Sequence, residues 1–114
     1  MVSEMKTVTD ANGKVWAVDD VDALLVRSDA AVFRAVVVLY ERQTEDEKAT
    51  DQTTHRNGVG FNGVDARLMS YYARWIQSNG KLTGKHVERA RRIVRKYRAQ
   101  LLNAIAARAG RKAA

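Results

Sequence analysis

The chain has 114 residues, the length of one domain, and 46% of them are apolar, enough for a single modest core. It carries 20 Lys+Arg against 13 Asp+Glu, a formal net charge of +7, and no cysteine, which excludes a disulfide framework, a zinc–thiolate site and a thiol nucleophile. No run of 18 apolar residues offers a membrane span, and residues 1–6 lack a secretory h-region, so a cytoplasmic protein is expected.

Residues 6–10 and 14–18 are β-prone and flank Asn12-Gly13, which predicts an N-terminal β-hairpin because Asn-Gly accepts positive φ. A lone hairpin is marginal, so it must lean on the rest of the chain, with Trp16 as its anchor. Residues 19–27 read as a short helix with Asp19 and Asp20 at its positive dipole end. Ser28 or Asp29 then caps a helix over 30–43, where Val32, Phe33, Val36, Val37, Leu39 and Tyr40 recur at helical spacing. The run Val36-Val37-Val38 leaves a strand as the competing reading there. Residues 44–60 are polar and aperiodic, a loop that is either solvated or functional.

Asn62 caps the next helix, with Asp65 three residues on. Val64, Leu68, Tyr71, Tyr72 and Trp75 give that helix one apolar face, and Gly80 stops it. Thr83 caps the last helix, in which Val87, Ala90, Val94, Tyr97, Leu101 and Ile105 form a narrow seam that also suits a homodimer contact. The expected fold is mainly α, a single small helical domain over 1–114. It places a hairpin and short helix in 1–28 and a helical core in 29–108. That core has three helices (30–43, 64–78 and 83–108), the last two forming an antiparallel hairpin, and 109–114 is a frayed tail.

The charge is unevenly placed. Residues 1–80 hold 9 basic and 12 acidic side chains, whereas 81–114 hold 11 basic ones and a single acid, Glu88. A basic C-terminal third points to a polyanion, nucleic acid first, although a solvated helix face accounts for the same composition. With Val94 set to zero at 100° per residue, Lys85, Arg89, Arg92 and Lys96 lie at about 160–220°, opposite the seam. Arg91, Arg95 and Arg98 form a second row at about 40–100°. Like charges at i,i+4 repel, and bound phosphates or carboxylates from elsewhere in the fold relieve that repulsion. The acidic segment 41–51 is the internal candidate. Arg67 and Arg74, seven residues apart on one side of the preceding helix, extend the basic surface.

Catalytic patterns are absent. His55 and His86 have no metal-ligand spacing, and Ser28, Ser70 and Ser78 have no base placed by sequence. Residues 79–86 fail as a phosphate loop, since Asn79 replaces the first Gly and His86 the Ser/Thr. Glu45, Asp46, Glu47 and Asp51 lack the rigid spacing of a cation loop. The glycine-dense stretch 58–63 is either an anion-receiving turn or, more simply, a structural turn with Phe61 in the core. Tyr71, Tyr72, Trp75 and Tyr97 suit either core packing or stacking on the bases of a single strand, and their spacing favours the core. Gln100 and Asn103 reach base edges only if they face outward.

The residues Asn57-Gly-Val-Gly-Phe-Asn-Gly-Val-Asp65, with Leu39-Tyr40-Glu41-Arg42-Gln43-Thr44 upstream, form a distinctive pattern. Gly80-Lys81-Leu82-Thr83, Ala90-Arg91-Arg92, Lys96-Tyr97 and Gln100-Leu101 complete it downstream. This pattern resembles a small helical module of bacteriophage and prophage proteins, found free-standing or near helicase and recombination proteins. The resemblance runs from Leu39 to Leu101 and implies a phage origin and a setting in DNA metabolism.

The expected function is a non-catalytic accessory protein without a cofactor, binding nucleic acid (DNA in preference to RNA) through Lys85, Arg89, Arg91, Arg92, Arg95, Lys96, Arg98, Arg67 and Arg74. The alternative is a protein-binding inhibitor or adaptor that docks the basic helix on an acidic host surface.

Overall fold

The computed structural model describes residues 6–50 and 60–113, with backbone alone over 44–50 and 111–113. Two short strands, β1 (Thr7–Thr9) and β2 (Val15–Ala17), pair antiparallel with Val8 opposite Trp16. Five helices follow: α1 (Val18–Arg27), α2 (Asp29–Thr50), α3 (Gly63–Asn79), α4 (Lys85–Arg95) and α5 (Arg98–Ala113). The chain is therefore mainly helical with an N-terminal hairpin, as its periodicities indicate.

The hairpin turn is built by Asp10 rather than by Asn12-Gly13 alone. Its Oδ1 accepts the backbone N–H groups of Asn12 and Lys14, both at 2.9 Å, and its Oδ2 accepts the indole N–H of Trp16 at 2.9 Å. Gly13 takes the one left-handed position, φ 86°. Those hydrogen bonds hold the Asp10 carboxyl below its ordinary range, the Trp16 bond foremost. The hairpin rests on α5 and α1, Val8 and Trp16 packing against the core edge and Lys6 bonding Asn103.

α2 is the central helix. Val32, Val36 and Leu39, at i, i+4 and i+7, are wholly buried, and α3 and α4 each pack more extensively on α2 than on each other. Ser28 Oγ accepts the Ala31 N–H at 3.1 Å, so Ser28 is the cap of this helix. The Val36-Val37-Val38 run is helical, as tertiary burial overrides its β preference. The helix continues seven residues beyond the expected end, so 44–50 belong to α2, while 51–59 fall outside the described residues.

Further expectations are corrected. The helix over 83–108 is two helices, and the second runs on to Ala113, through residues expected to be a frayed tail. The chain tightens at Lys96 and Tyr97, whose N–H groups bond the carbonyls of Ile93 and Val94 three residues back, at 3.0 and 2.9 Å. No Gly or Pro marks this break. Lys96 and Tyr97, at this break, both reach the Asp65 carboxylate. The α4 cap is also backbone rather than the Thr83 side chain, since the His86 N–H bonds the Thr83 carbonyl at 3.3 Å.

The second correction concerns α3. Its inner face is Asp65, Met69, Tyr72, Ala73 and Ile76, whereas Val64, Tyr71 and Trp75 are 90%, 51% and 46% exposed. Counting Asp65 as a polar cap residue shifts the apparent stripe by one position. The buried stripe runs i, i+4, i+7, i+8, i+11 once Asp65 is included.

Residues 60–62 form a strap across the domain, and each of its N–H groups is taken by a side chain from another part of the fold. Gln100 clamps the Gly60 peptide from both sides, accepting its N–H at 2.8 Å and donating to its carbonyl at 3.0 Å. Gln43 Oε1 accepts from Phe61 N–H at 3.1 Å, and Tyr97 Oη accepts from Asn62 N–H at 2.9 Å. The Tyr97 hydroxyl donates to Asp65 Oδ2 at 2.6 Å, and Lys96 Nζ lies 2.9 Å from that oxygen. Phe61 is buried and meets the Tyr97 ring edge-on at 5.4 Å between centroids. Gly60 sits at φ 81°, and a Cβ there would come within 2.5 Å of Gln43 Cβ, so the position admits only glycine.

Burial raises the Asp65 carboxyl, but the Tyr97 hydroxyl and Lys96 ammonium outweigh it, and the net shift is downward. Burial and then Asp65 push the Tyr97 phenol up to about 12. A phenol raised in the folded state stabilises the fold fully below its unfolded value near 10 and loses that contribution as pH rises towards 12. Ultraviolet titration should therefore show one of the four tyrosines ionising near pH 12, and Tyr97→Phe should remove that late step.

Candidate nucleic-acid interface

The basic residues of α4 divide by what faces them. Val87, Ala90, Ile93 and Val94 bury one side of the helix, which sets every other position. On the flank towards α1, Arg91 is 14% exposed. Its Nε donates to the Leu25 carbonyl at 2.8 Å, near the negative end of α1, and its other nitrogens pair with Glu88 and Asp29. Arg95 makes a two-point pair with Asp22, Nε to Oδ1 at 2.8 Å and Nη2 to Oδ2 at 3.0 Å. The Arg95 hydrogen bond is the main reason that the Asp22 carboxyl lies below its ordinary range. Glu88 and then Asp29 hold Arg91 still more firmly protonated. Lys96 is tied to Asp65, and Arg98 donates Nη1 to the Arg95 carbonyl at 2.9 Å.

Four of the nine sequence-predicted positions are thus engaged inside the fold: Arg91, Arg95, Lys96 and Arg98. The carboxylates that answer the second row come from α1, from the start of α2 and from Glu88. The expected source was segment 41–51, whose side chains from 44 onward lie outside the described residues. The density of Asp19, Asp20, Asp22 and Asp29 before a strongly basic helix was the available signal for this pairing.

The other row is different. Lys85, Arg89 and Arg92, at i, i+4 and i+7, are exposed and have no hydrogen bond or ion pair among the described residues. They lie on the side of α4 opposite its buried face, within a rise of about 10 Å. Arg67 and Arg74 are exposed on α3 and equally unpaired among the described residues. They border a shallow open groove with Val64, Leu68 and Tyr71. His86, in the first turn of α4, accepts or donates at Nδ1 to the Tyr72 hydroxyl, 3.0 Å away, and links the two helices.

The glycine-dense turn does not offer free donors at 60–62, because Gln100, Gln43 and Tyr97 occupy those N–H groups. Gln100 is accordingly a structural clamp, and Asn103 accepts from Lys6. No His, Asp and Glu groups of three or more gather as metal ligands among the described residues, and no helix there is long and apolar enough to cross a membrane. The His55 position and the Glu45, Asp46, Glu47 and Asp51 cluster fall outside what is described of side chains. No known protein family, curated protein or solved structure matches the chain.

The two rows should separate in stability measurements. Arg91→Ala removes a largely buried guanidinium with three partners and should cost about 1–2 kcal/mol in urea denaturation. Arg89→Ala, on the unpaired row, should stay within about 0.5 kcal/mol of the parent.

Proposed function

We propose that this protein is a non-catalytic nucleic-acid-binding accessory protein that grips phosphates through Lys85, Arg89 and Arg92 of α4, assisted by Arg67 and Arg74 of α3. The observation that carries this reading is the contrast between the two rows of one helix. Carboxylates from three parts of the fold neutralise Arg91 and Arg95, while the row beside them is left exposed and unpaired among the described residues. Like charges held at i,i+4 destabilise a helix by a few tenths of a kcal/mol per pair. A phosphate chain relieves that repulsion and gains the entropy of released counterions.

DNA is the expected polymer, and a setting in phage replication or recombination rests on the resemblance of residues 39–101 to the phage helical module. Arg91, Arg95 and Lys96 lie outside the proposed contacts, because carboxylates of the fold already engage them: Asp29 and Glu88 for Arg91, Asp22 for Arg95 and Asp65 for Lys96. Arg98 faces its own helix junction and lies close enough to Asp22 to lower that carboxyl, so it is a minor contributor.

Binding to labelled oligonucleotides over a salt series tests this. The combined variant Lys85→Ala, Arg89→Ala, Arg92→Ala should keep the parent's stability and lose more than about tenfold in affinity near 0.1 M salt. Its log–log salt slope should flatten by about two to three. Tight, salt-insensitive binding, or no binding to any nucleic acid at low salt, would overturn the reading, and the latter would turn attention to an acidic protein surface as the partner.

A further inference from the structure

We propose that the outer stripe of α3, Tyr71 and Trp75 flanked by Arg67 and Arg74, is a platform on which unpaired bases of a single-stranded nucleic acid stack. The inference rests on the nucleic-acid reading above and assigns it a strand form. Tyr71 and Trp75 are one helical turn apart, half exposed, and their rings lie 6.3 Å apart at a 41° tilt. A buried core of Met69, Tyr72, Ala73 and Ile76 fixes the other side of the helix, so the two rings cannot turn inward without unfolding it.

Charge on the stripe has one sign. Arg67 lies four residues before Tyr71 and Arg74 three after it, and both are exposed without partners among the described residues. The sole carboxylate of α3, Asp65, is buried and bound to Tyr97 and Lys96. Aromatic faces interleaved with guanidinium groups match a strand that presents bases and phosphates alternately. A duplex keeps its bases stacked on one another and offers such a surface only phosphates, which leaves both rings without a role.

The stripe and the basic row belong to helices that touch. The buried Tyr72 ring is 6.0 Å from Tyr71 and 5.7 Å from His86, so Tyr72 joins α3 to the first turn of α4 from beneath the stripe. His86 follows Lys85 directly and precedes Arg89 by three residues, nearly one helical turn.

Fluorescence anisotropy with a labelled 20-nucleotide oligothymidylate and a labelled 20-base-pair duplex tests the platform. Tyr71→Ala and Trp75→Ala should each weaken oligothymidylate binding at least about fivefold and leave duplex binding within about twofold. Trp75→Phe, which keeps a ring, should restore most of the loss. Both positions are exposed, and a far-ultraviolet circular dichroism spectrum matching the parent verifies the fold of each variant. Unchanged oligothymidylate binding in both alanine variants, or equal losses on single strand and duplex, would overturn the platform and leave the phosphate-binding row standing. Absence of binding to either probe by the parent would overturn the row and the platform together.

Discussion

The hydroxyl of Tyr97 is the point on which the C-terminal half of the molecule depends. It accepts from the backbone of Asn62 and donates to the buried carboxylate of Asp65, so one oxygen joins the strap, α3 and the junction between α4 and α5. Around it, Gln43 and Gln100 complete the satisfaction of a strap that would otherwise carry buried, unpaired N–H groups, each costing about 1–3 kcal/mol. The same contact accompanies the interruption of the last helix. With the chain tightened at 96–97, α5 buries both Leu101 and Leu102 and receives the hairpin, while α4 keeps its own orientation against α1 and α2. The exposed row Lys85, Arg89 and Arg92 is therefore aimed outward by the burial of Val87, Ala90, Ile93 and Val94 on the other side of α4.

Charge in this protein is arranged by subtraction. A net charge of +7 says little about function while many cations serve the fold itself. Arg91 and Arg95 tie α4 to α1 and the start of α2, and Lys96 closes the Asp65 network. These pairs hold α4 in place and set its polarity, with the neutralised flank towards α1 and the unneutralised side outward. Tyr72 and His86 join α3 to α4, so the helix that carries the outward aromatic pair is held to the helix that carries the outward basic row.

Much of this was legible beforehand, for identifiable physical reasons. The hairpin, the short acidic helix, the Asn62 cap and the Gly80 stop are local effects of φ, capping and dipole, and local effects can be read from neighbouring residues. The break at Lys96–Tyr97 has no local signature, since neither Gly nor Pro marks it and the contacts that accompany it come from residues more than 30 positions away. The stripe on α3 is misread for a related reason. Asp65 counts as polar until Tyr97 and Lys96 are seen to satisfy it, and only then does the inner face run through 65, 69, 72, 73 and 76, sending Tyr71 and Trp75 outward. The basic side chains of α4 were all visible in sequence, but which of them are paired depends on Asp22 and Asp29, more than 60 residues upstream. The distinctive pattern of residues between Leu39 and Leu101 has, in part, a structural explanation: Gln43, Gly60, Asn62, Asp65, Tyr97 and Gln100 form the strap and its latch.

The most direct measurement is a backbone amide chemical-shift map of the isotope-labelled protein titrated with an oligonucleotide at low and moderate salt. The expected result is a contiguous set of salt-sensitive shifts over 67–75 and 85–92, with α1 and the 60–62 strap undisturbed because their partners are internal. Shifts confined to α1 and the Arg91–Arg95 flank, or none at saturating oligonucleotide, would contradict the assignment of the outward row.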